Sequence, residues 1–242
     1  MIAYLGFVLV KAALLLIQAL PLTGAIRLGR FGGWLAWHLD VAHRRLAFHN
    51  VKIAFEGNEN VAQPPPAVAG RTGEGACATS KSFPVQLARE SFLRLGENAF
   101  ATAWMASRGD DDLRGLFEMA GVEENLRPAL AEKRGVIHVL FHLDNWECVS
   151  RAIFSISGVK FSTLYQPLRN PWFDNLISRW RQRSGVGLIN RHHGFTEATA
   201  RLRKGEAVGM LVDQHAGDHG MWIPFFGRLA STTTLPSLLA RR

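Results

Sequence analysis

His142 and Glu147 lie five positions apart and carry the side chains that general base catalysis requires. An imidazole has an ordinary pKa of about 6.5, so it can accept a proton from an attacking hydroxyl group near neutral pH. A carboxylate that reaches the second ring nitrogen fixes the tautomer and stabilises the imidazolium that forms. The chemistry that this pair suggests is general base catalysis by His142, with Glu147 orienting the imidazole.

The residues around this pair predict a strand that leads into a helix. Residues 136–141 are apolar except for one histidine, are rich in β-branched side chains and predict a buried strand. Asp144 and Asn145 are helix-capping types, and residues 146–156 predict the helix that follows. His142 then stands at a strand end, a usual place for reactive side chains in α/β sheets. On spacing alone, a structural histidine and an acidic residue in a first helical turn are the commoner explanation.

The wider sequence pattern favours the chemical explanation. H-L-D-N-W-E at residues 142–147 resembles the H-x-x-N-W-E signature of the lipid A biosynthesis lauroyl/myristoyl acyltransferase family, one of the His-x4-Asp/Glu acyltransferases. Further matches follow in that family's order: Y-x-P-x-x-N-P at Tyr165–Pro171, the pair Asp213 and Gln214, P-F-F-G at Pro224–Gly227 and the run Thr232–Thr234. The resemblance covers about residues 87–242, and several ordered motifs are far more specific than one histidine and one acid.

The resemblance implies an enzyme that moves a fatty acyl chain from an acyl thioester to a hydroxyl group of a lipid. The donor would be acyl carrier protein, the acceptor would be a lipid A precursor, and no metal or organic cofactor would be needed. His142 and Glu147 would be catalytic, whereas Asp213 and Gln214 would form part of the wall of the site. Backbone amides near Asn145, at the expected helix N-terminus, would stabilise the oxyanion.

Arg169 and Arg191 are predicted to bind a phosphate group of the donor or the acceptor, since guanidinium groups match phosphate geometry. Ordinary surface arginines explain both positions equally well. The residue after Tyr165 is Gln166, where some relatives of the family have arginine. A charge-stabilising role is therefore not carried over to that position.

The formal charge of the chain is +8, and it contains 7 tryptophans and 15 phenylalanines. Such a composition suits a nucleic acid, an anionic membrane surface or an acidic protein partner. No nucleic-acid-binding motif accompanies the charge, so we expect no nucleic acid partner. The remaining alternatives are acyl-CoA-dependent acylation of another glycolipid or phospholipid, as in the similar phosphatidylinositol mannoside acyltransferases, and a catalytically inactive, truncated homologue that binds lipid.

One short segment contains the metal-ligating residue types Asp213, His215, Asp218 and His219. His-x3-His suits a metal site on a helix, but the flanking glycines predict a loop, so we expect no metal here. Cys77 and Cys148 are far apart and fit no metal spacing. They indicate a reducing, cytosolic setting.

Residues 2–22 are almost wholly apolar, close to the ~20 residues that span a bilayer. Lys11 is costly in a bilayer core, so a helix that lies in the membrane interface is the alternative. We expect an uncleaved anchor or embedded helix over residues 1–26. The basic residues that follow it are Arg27, Arg30, Arg44 and Arg45. By the positive-inside rule they place the next domain in the cytoplasm, at a bacterial inner membrane.

Residues 27–242 are predicted to form an acyltransferase domain of the α/β class, with a mainly parallel sheet flanked by helices. Besides the strand before His142, the predicted strands are residues 159–165, 186–189, 207–213 and 222–226, and the predicted helices include residues 170–185 and 196–205. Asn170 is the expected N-cap of the first of these helices, and Pro171 its first residue.

Residues 57–85 contain three consecutive prolines and little apolar periodicity, and they predict a loop insertion. The resemblance would continue past Arg242, so the domain is expected to be incomplete at its C-terminal end.

Overall fold

The computed structural model of the chain describes residues 2–56, 83–153, 156 and 158–241. Two compact units are distinguished: the first comprises residues 1–19, 102–221 and 231–242, and the second comprises residues 20–101 and 222–230. Most of the predicted insertion at residues 57–85, namely residues 57–82, lies outside the described residues, and so does Cys77. Residues 83–85 belong to a helix rather than a loop. The predicted domain boundary at residue 26 stays a prediction.

The helices in chain order are α1 (Ile2–Ala19), α2 (Leu22–Leu39), α3 (Val41–Glu56), α4 (Phe83–Met105), α5 (Asp110–Leu113), α6 (Arg127–Ala131), α7 (Glu147–Ala152), α8 (Pro171–Gln182), α9 (Gly194–Leu202) and α10 (Leu235–Ala240). The strands are β1 (Val136–Leu140), β2 (Phe161–Tyr165), β3 (Gly187–Asn190), β4 (Ala207–Leu211), β5 (Met221–Phe225) and β6 (Arg228–Thr232). A π-helical turn at Val122–Leu126 precedes α6, and a 3₁₀ turn at Arg191–His193 precedes α9.

The first unit is built on a parallel sheet with the strand order β1-β4-β2-β3. The predicted α/β fold with a mainly parallel sheet is therefore confirmed. Leu140 pairs with Leu211, and Tyr165 pairs with Asn190, so the four strands end close to one line. The residues that follow these ends consequently meet at one edge of the sheet, where α/β proteins bind ligands.

The central strand β4 is buried from Ala207 to Met210 because both of its faces are covered. One core cluster contains the buried residues Ile189, Ala198, Leu202, Val208, Met210 and Leu239. The other contains Ile153, Ile156, Phe161, Val186 and Ala207. Burial on both faces is typical of a central strand in a parallel sheet that helices cover on both sides.

The start of α8 confirms the predicted cap. Asn170 has an extended backbone, and its Oδ1 accepts hydrogen bonds from the backbone N–H groups of Trp172 (3.0 Å) and Phe173 (3.4 Å). Pro171 occupies the first turn, where its missing N–H is not needed.

The helix after His142 is shorter than predicted and is not capped as predicted. It spans Glu147–Ala152, its N-cap is Trp146, and no side chain caps it. Asp144 adopts a left-handed backbone conformation with φ 45°. The side-chain oxygen of Asn145 accepts a hydrogen bond from Thr102 instead of from a helix amide.

The predicted strand at residues 222–226 is one arm of a β-hairpin. β5 and β6 are joined by Phe226 and Gly227, whose φ values are 48° and 71°. Two consecutive positive φ values are what a type I′ turn requires, and this turn matches the twist of the two strands.

The apolar N-terminal residues form α1. Within the described ranges, no helix is both long and apolar enough to cross a membrane. In the first unit, Tyr4 and Phe7 of α1 contact the α8 residues Trp172 and Phe173, with ring centroids 5.5 Å apart for Tyr4–Trp172 and 5.3 Å for Phe7–Phe173. Aromatic contacts therefore fix the start of α1 against α8.

The second unit is held by close packing of α2 on α4. A Cβ atom at Gly29 would collide with the carbonyl oxygen of Gly96, and one at Gly33 would collide with that of Phe92. Arg30 lies beside this contact and donates hydrogen bonds to Glu90 (3.1 Å) and Glu97 (2.8 Å). Its guanidinium is thus bound within the unit, and these carboxylates raise its pKa.

Replacing Gly29 with alanine is expected to lower the free energy of unfolding by about 2 kcal/mol, because the new methyl group has to force two backbones apart. Gly32 on the same helix is the matched control, since an added Cβ there has its nearest neighbour at 3.8 Å. Gly32→Ala is expected to stabilise by up to about 1 kcal/mol through helix propensity. Urea denaturation of both variants measures the difference, and equal effects would contradict the packing argument.

Candidate active site

His142 and Asp213 meet at the sheet edge because their strands are neighbours in register. β1 and β4 pair through Leu140 and Leu211, and each residue of the pair lies two positions beyond its strand. The Nδ1 atom of His142 is 2.7 Å from Asp213 Oδ1, and the backbone N–H of His142 donates to Asp213 Oδ2 at 2.8 Å. The carboxylate therefore holds the backbone and the ring of His142 at once.

This geometry determines which ring nitrogen can act as a base. An ionised carboxylate only accepts hydrogen bonds, so Nδ1 of His142 carries the proton and Nε2 keeps its lone pair. Partial burial alone would raise the pKa of Asp213, but the hydrogen bonds from the His142 ring and backbone outweigh burial and lower it. The Trp146 ring packs edge-on against the imidazole, with centroids 4.9 Å apart, and restricts its rotation.

The predicted contact between Glu147 and His142 is corrected by the structure. Both carboxylate oxygens of Glu147 accept hydrogen bonds from Arg181 of α8, through Nε (2.9 Å) and through Nη2. Burial alone would lower the pKa of Arg181, but this pairing and nearby Asp174 raise it. Glu147 begins α7 and turns toward α8, whereas Nδ1 of the His142 ring faces Asp213 from the neighbouring strand.

A buried arginine positions α7 and thereby the segment that follows His142. Arg151 is only 4% exposed. It donates hydrogen bonds to Ser184 Oγ (2.6 Å) and to the carbonyl oxygen of Arg108 (2.8 Å), and it lies 3.2 Å from Asp110. Burial lowers the pKa of Arg151 despite the Asp110 carboxylate.

Asn145 is held by Thr102 near the end of α4. The hydroxyl group of Thr102 donates to Asn145 Oδ1 at 2.9 Å. This bond orients the amide, whose nitrogen provides two N–H donors. Asn145 also lines the main cavity.

The main cavity of the first unit has a volume of about 1090 Å³. His142, Asn145, Glu147, Arg191 and Gln214 line it, and they come from the predicted site residues. Its apolar wall includes Leu140, Val149, Phe161, Leu164, Ile177 and Met210. A cavity of this size, mostly apolar with a few convergent polar groups, suits a small ligand or the end of a lipid.

Two further predicted site residues lie differently. Asp213 is not among the residues that line the cavity, but it binds the imidazole of His142, which does line it. Arg169 is exposed and is not among the described residues that line the cavity. The structure therefore brings Arg191, but not Arg169, to the site.

Gln166 and Arg191 follow the adjacent strands β2 and β3, and both line the cavity. Arg191 donates a hydrogen bond from Nη1 to Gln166 Oε1. The two side chains are neighbours because Gln166 directly follows Tyr165, Arg191 directly follows Asn190, and Tyr165 pairs with Asn190.

No cluster of histidine, cysteine or acidic residues in the described part of the chain is arranged to hold a metal ion. In the segment that contains His215, Asp218 and His219, the Nδ1 atom of His215 accepts a hydrogen bond from the backbone N–H of Gly217 at 3.1 Å. This local bond is typical of a turn.

Sequence reasoning missed four positioning contacts: Asp213 with His142, Trp146 with His142, Arg181 with Glu147, and Thr102 with Asn145. Asp213 carries a usable signal, since the sequence predicts it at a strand end like His142. The sequence does not state that these two strands are neighbours.

Residues 77–242 match the family model described as bacterial lipid A biosynthesis acyltransferase. The chain is also similar to a lipid A biosynthesis acyltransferase of Haemophilus influenzae, with 29% identity over 155 residues. The matched part is 63% of this chain and 47% of the relative, so the chain spans about half the length of the curated relative that it matches.

Proposed function

Because the chain belongs to the bacterial lipid A biosynthesis acyltransferase family, we propose that it transfers a fatty acyl chain from an acyl thioester to a hydroxyl group of a lipid. The observation that carries the proposal is the hydrogen-bonded pair of His142 and Asp213 at a large, mostly apolar cavity. The proposed donor is acyl carrier protein, and the proposed acceptor is a lipid A precursor.

His142 acts as the general base. Its Nε2 atom takes the proton of the acceptor hydroxyl while the oxygen attacks the carbonyl carbon of the thioester. The tetrahedral intermediate collapses, the carbon–sulfur bond breaks, and the departing thiolate takes the proton back from the imidazolium. Asp213 orients the ring and stabilises the imidazolium, the role that sequence spacing predicts for Glu147.

The oxyanion of the intermediate needs donors that are already in place. The side-chain amide of Asn145 suits this role, because Thr102 occupies its oxygen and leaves its nitrogen free to donate. Gln214 lines the same cavity and adds a second polar group to its wall.

The proposed reaction is direct attack by the acceptor hydroxyl, without a covalent acyl-enzyme on Cys148. Cys148 also lines the cavity, but burial raises the pKa of its thiol and disfavours the reactive thiolate. The proposed reaction therefore uses the residues named above and needs no metal or organic cofactor.

The proposed location is the cytoplasmic face of the bacterial inner membrane. Leu9, Leu15 and Leu16 of α1 are 63%, 60% and 73% exposed. Exposed leucines on one helix favour burial in the interface of a bilayer, with Lys11 reaching the headgroups. The formal charge of +8 adds attraction to anionic lipids and to an acidic carrier protein.

The experiment that tests the proposal is transfer of a radiolabelled acyl chain by membranes that contain this protein. Acyl carrier protein and coenzyme A are compared as carriers, and a lipid A precursor is compared with a phospholipid that has a free hydroxyl group. We expect an ester-linked product on the lipid A precursor with acyl carrier protein as carrier. Label that reaches no lipid from either carrier would overturn the proposal.

A further inference from the structure

Several ionisable side chains that line the cavity already have a side-chain or backbone partner. Glu147 binds Arg181, His142 binds Asp213, and Asp174 accepts a hydrogen bond from the backbone N–H of Leu168 at 2.8 Å. The Glu147 and Arg181 charges thus compensate each other, and the other two side chains already have a hydrogen-bond partner before any substrate binds.

Arg191 differs from this pattern. Its side-chain partner is the neutral amide of Gln166, and none of the ion pairs in the described ranges includes Arg191. A guanidinium group has only donors, so it occupies the oxygen of Gln166 and leaves the amide nitrogen as a further donor. The Gln166 and Arg191 pair thus presents a positive charge and several hydrogen-bond donors, and it contains no carboxylate.

We infer that Gln166 and Arg191 form an anion subsite that takes a phosphate group of the substrate. Charge-assisted hydrogen bonds from a guanidinium to phosphate are among the strongest polar contacts in proteins. The inference rests on the proposed acyl transfer for the identity of the substrate. Gln166 determines specificity in this subsite, because it holds Arg191 without neutralising it.

The sheet also gives the distance between this subsite and the base. His142 follows β1 and Arg191 follows β3, which are three strand spacings apart in the order β1-β4-β2-β3. At roughly 4.8 Å per spacing, the two backbone positions are about 14 Å apart across the sheet. The proposed phosphate subsite therefore lies on the other side of the sheet end from the base, not beside it.

Two substrates offer such a phosphate, and binding experiments distinguish them. The donor probe is a dodecyl thioether of 4′-phosphopantetheine, compared with the same compound without phosphate. The acceptor probe is an acylated glucosamine disaccharide in phosphatidylethanolamine vesicles, with and without its phosphates. All measurements use His142→Ala as background and offer one probe at a time, so that no acyl group can be transferred during the measurement.

We expect one of the two probes to lose about 10-fold or more in affinity on removal of its phosphate, and Arg191→Gln and Gln166→Glu to abolish this difference. Gln166→Glu supplies a carboxylate that competes for Arg191, whereas Gln166→Asn keeps the neutral amide and is expected to retain part of the preference. The matched control is Arg203→Gln, an exposed arginine before β4 at the opposite edge of the sheet.

Phosphate dependence of the donor probe assigns the subsite to the donor, and dependence of the acceptor probe assigns it to the acceptor. The inference is overturned when neither probe depends on its phosphate, or when the dependence survives in Arg191→Gln or in Gln166→Glu. Turnover of the wild-type protein is measured separately. A phosphate-dependent probe together with absent turnover would leave the subsite standing and remove the acyl-transfer proposal.

Discussion

Replacing His142 with alanine is expected to lower the rate of acyl transfer by about 10²- to 10⁴-fold, because general base catalysis contributes this much to similar reactions. The side chain that is lost carries the lone pair which accepts the proton of the attacking hydroxyl. The side chain is 25% exposed and lines an open cavity, so the fold should tolerate the change. The measurement is the initial rate of ester formation at saturating donor and acceptor.

The chain provides a close control for this experiment. His43 also forms a hydrogen bond through Nδ1 to an aspartate, Asp40, at 2.7 Å, but this pair is exposed on the second unit. His43→Ala removes the same chemical group and is expected to leave the rate unchanged. A His142→Ala protein that keeps a rate within a few-fold of wild type would contradict the assignment of the base.

Asp213→Asn is expected to lower kcat by at least about 10²-fold, because an amide in this place favours the wrong tautomer of the imidazole. The nitrogen of asparagine would donate to Nδ1, and the proton would then sit on Nε2, where the base is needed. The matched control is Asp40→Asn. Circular dichroism checks the fold, and an unchanged kcat would remove Asp213 from the mechanism.

The pH range over which the Asp213 carboxylate contributes to stability follows from its lowered pKa. The native pKa lies below the unfolded value of about 3.9, so the stabilising interaction is complete above that value and is lost as the pH falls through the native pKa. Urea denaturation at a series of pH values should therefore show this contribution shrinking only below about pH 4. At neutral pH the carboxylate is ionised, so the effect of Asp213→Asn on kcat reflects orientation and charge, not protonation.

Glu147 is expected to act through Arg181 rather than through His142. Removal of either member leaves the other charge unpaired at the cavity wall, so Glu147→Gln and Arg181→Gln should reduce the rate to a similar extent. The double variant should be no worse than either single variant, which is the signature of a coupled pair. A direct role of Glu147 on the imidazole would instead make its loss severe and that of Arg181 mild.

Elements with strong local signals were predictable from the sequence. Asn170 and Pro171 are residue types that favour a helix start, and they begin α8. The apolar runs before His142 and Asp213 predict the strands β1 and β4. The structure confirms these elements within a few residues.

Partners that depend on spatial order were not predictable. Glu147 is close to His142 in sequence, but the left-handed conformation of Asp144 and the position of α8 direct its carboxylate to Arg181. Asp213 is distant in sequence, yet it becomes the partner of His142 because β4 inserts beside β1. Local propensity contains no information about which strands become neighbours.

The position of β4 also determines when the site can assemble during synthesis. This strand is the last of the four to emerge from the ribosome, yet it lies between β1 and β2. Until β4 inserts, β1 is not paired with the other three strands of this sheet. His142 then lacks its hydrogen-bond partner Asp213, which lies 71 positions downstream. Contacts so distant in sequence close late and slow folding. A nascent chain that ends before residue 207 thus contains the complete H-x4-E motif without an oriented base, so catalysis would begin only when the sheet is complete.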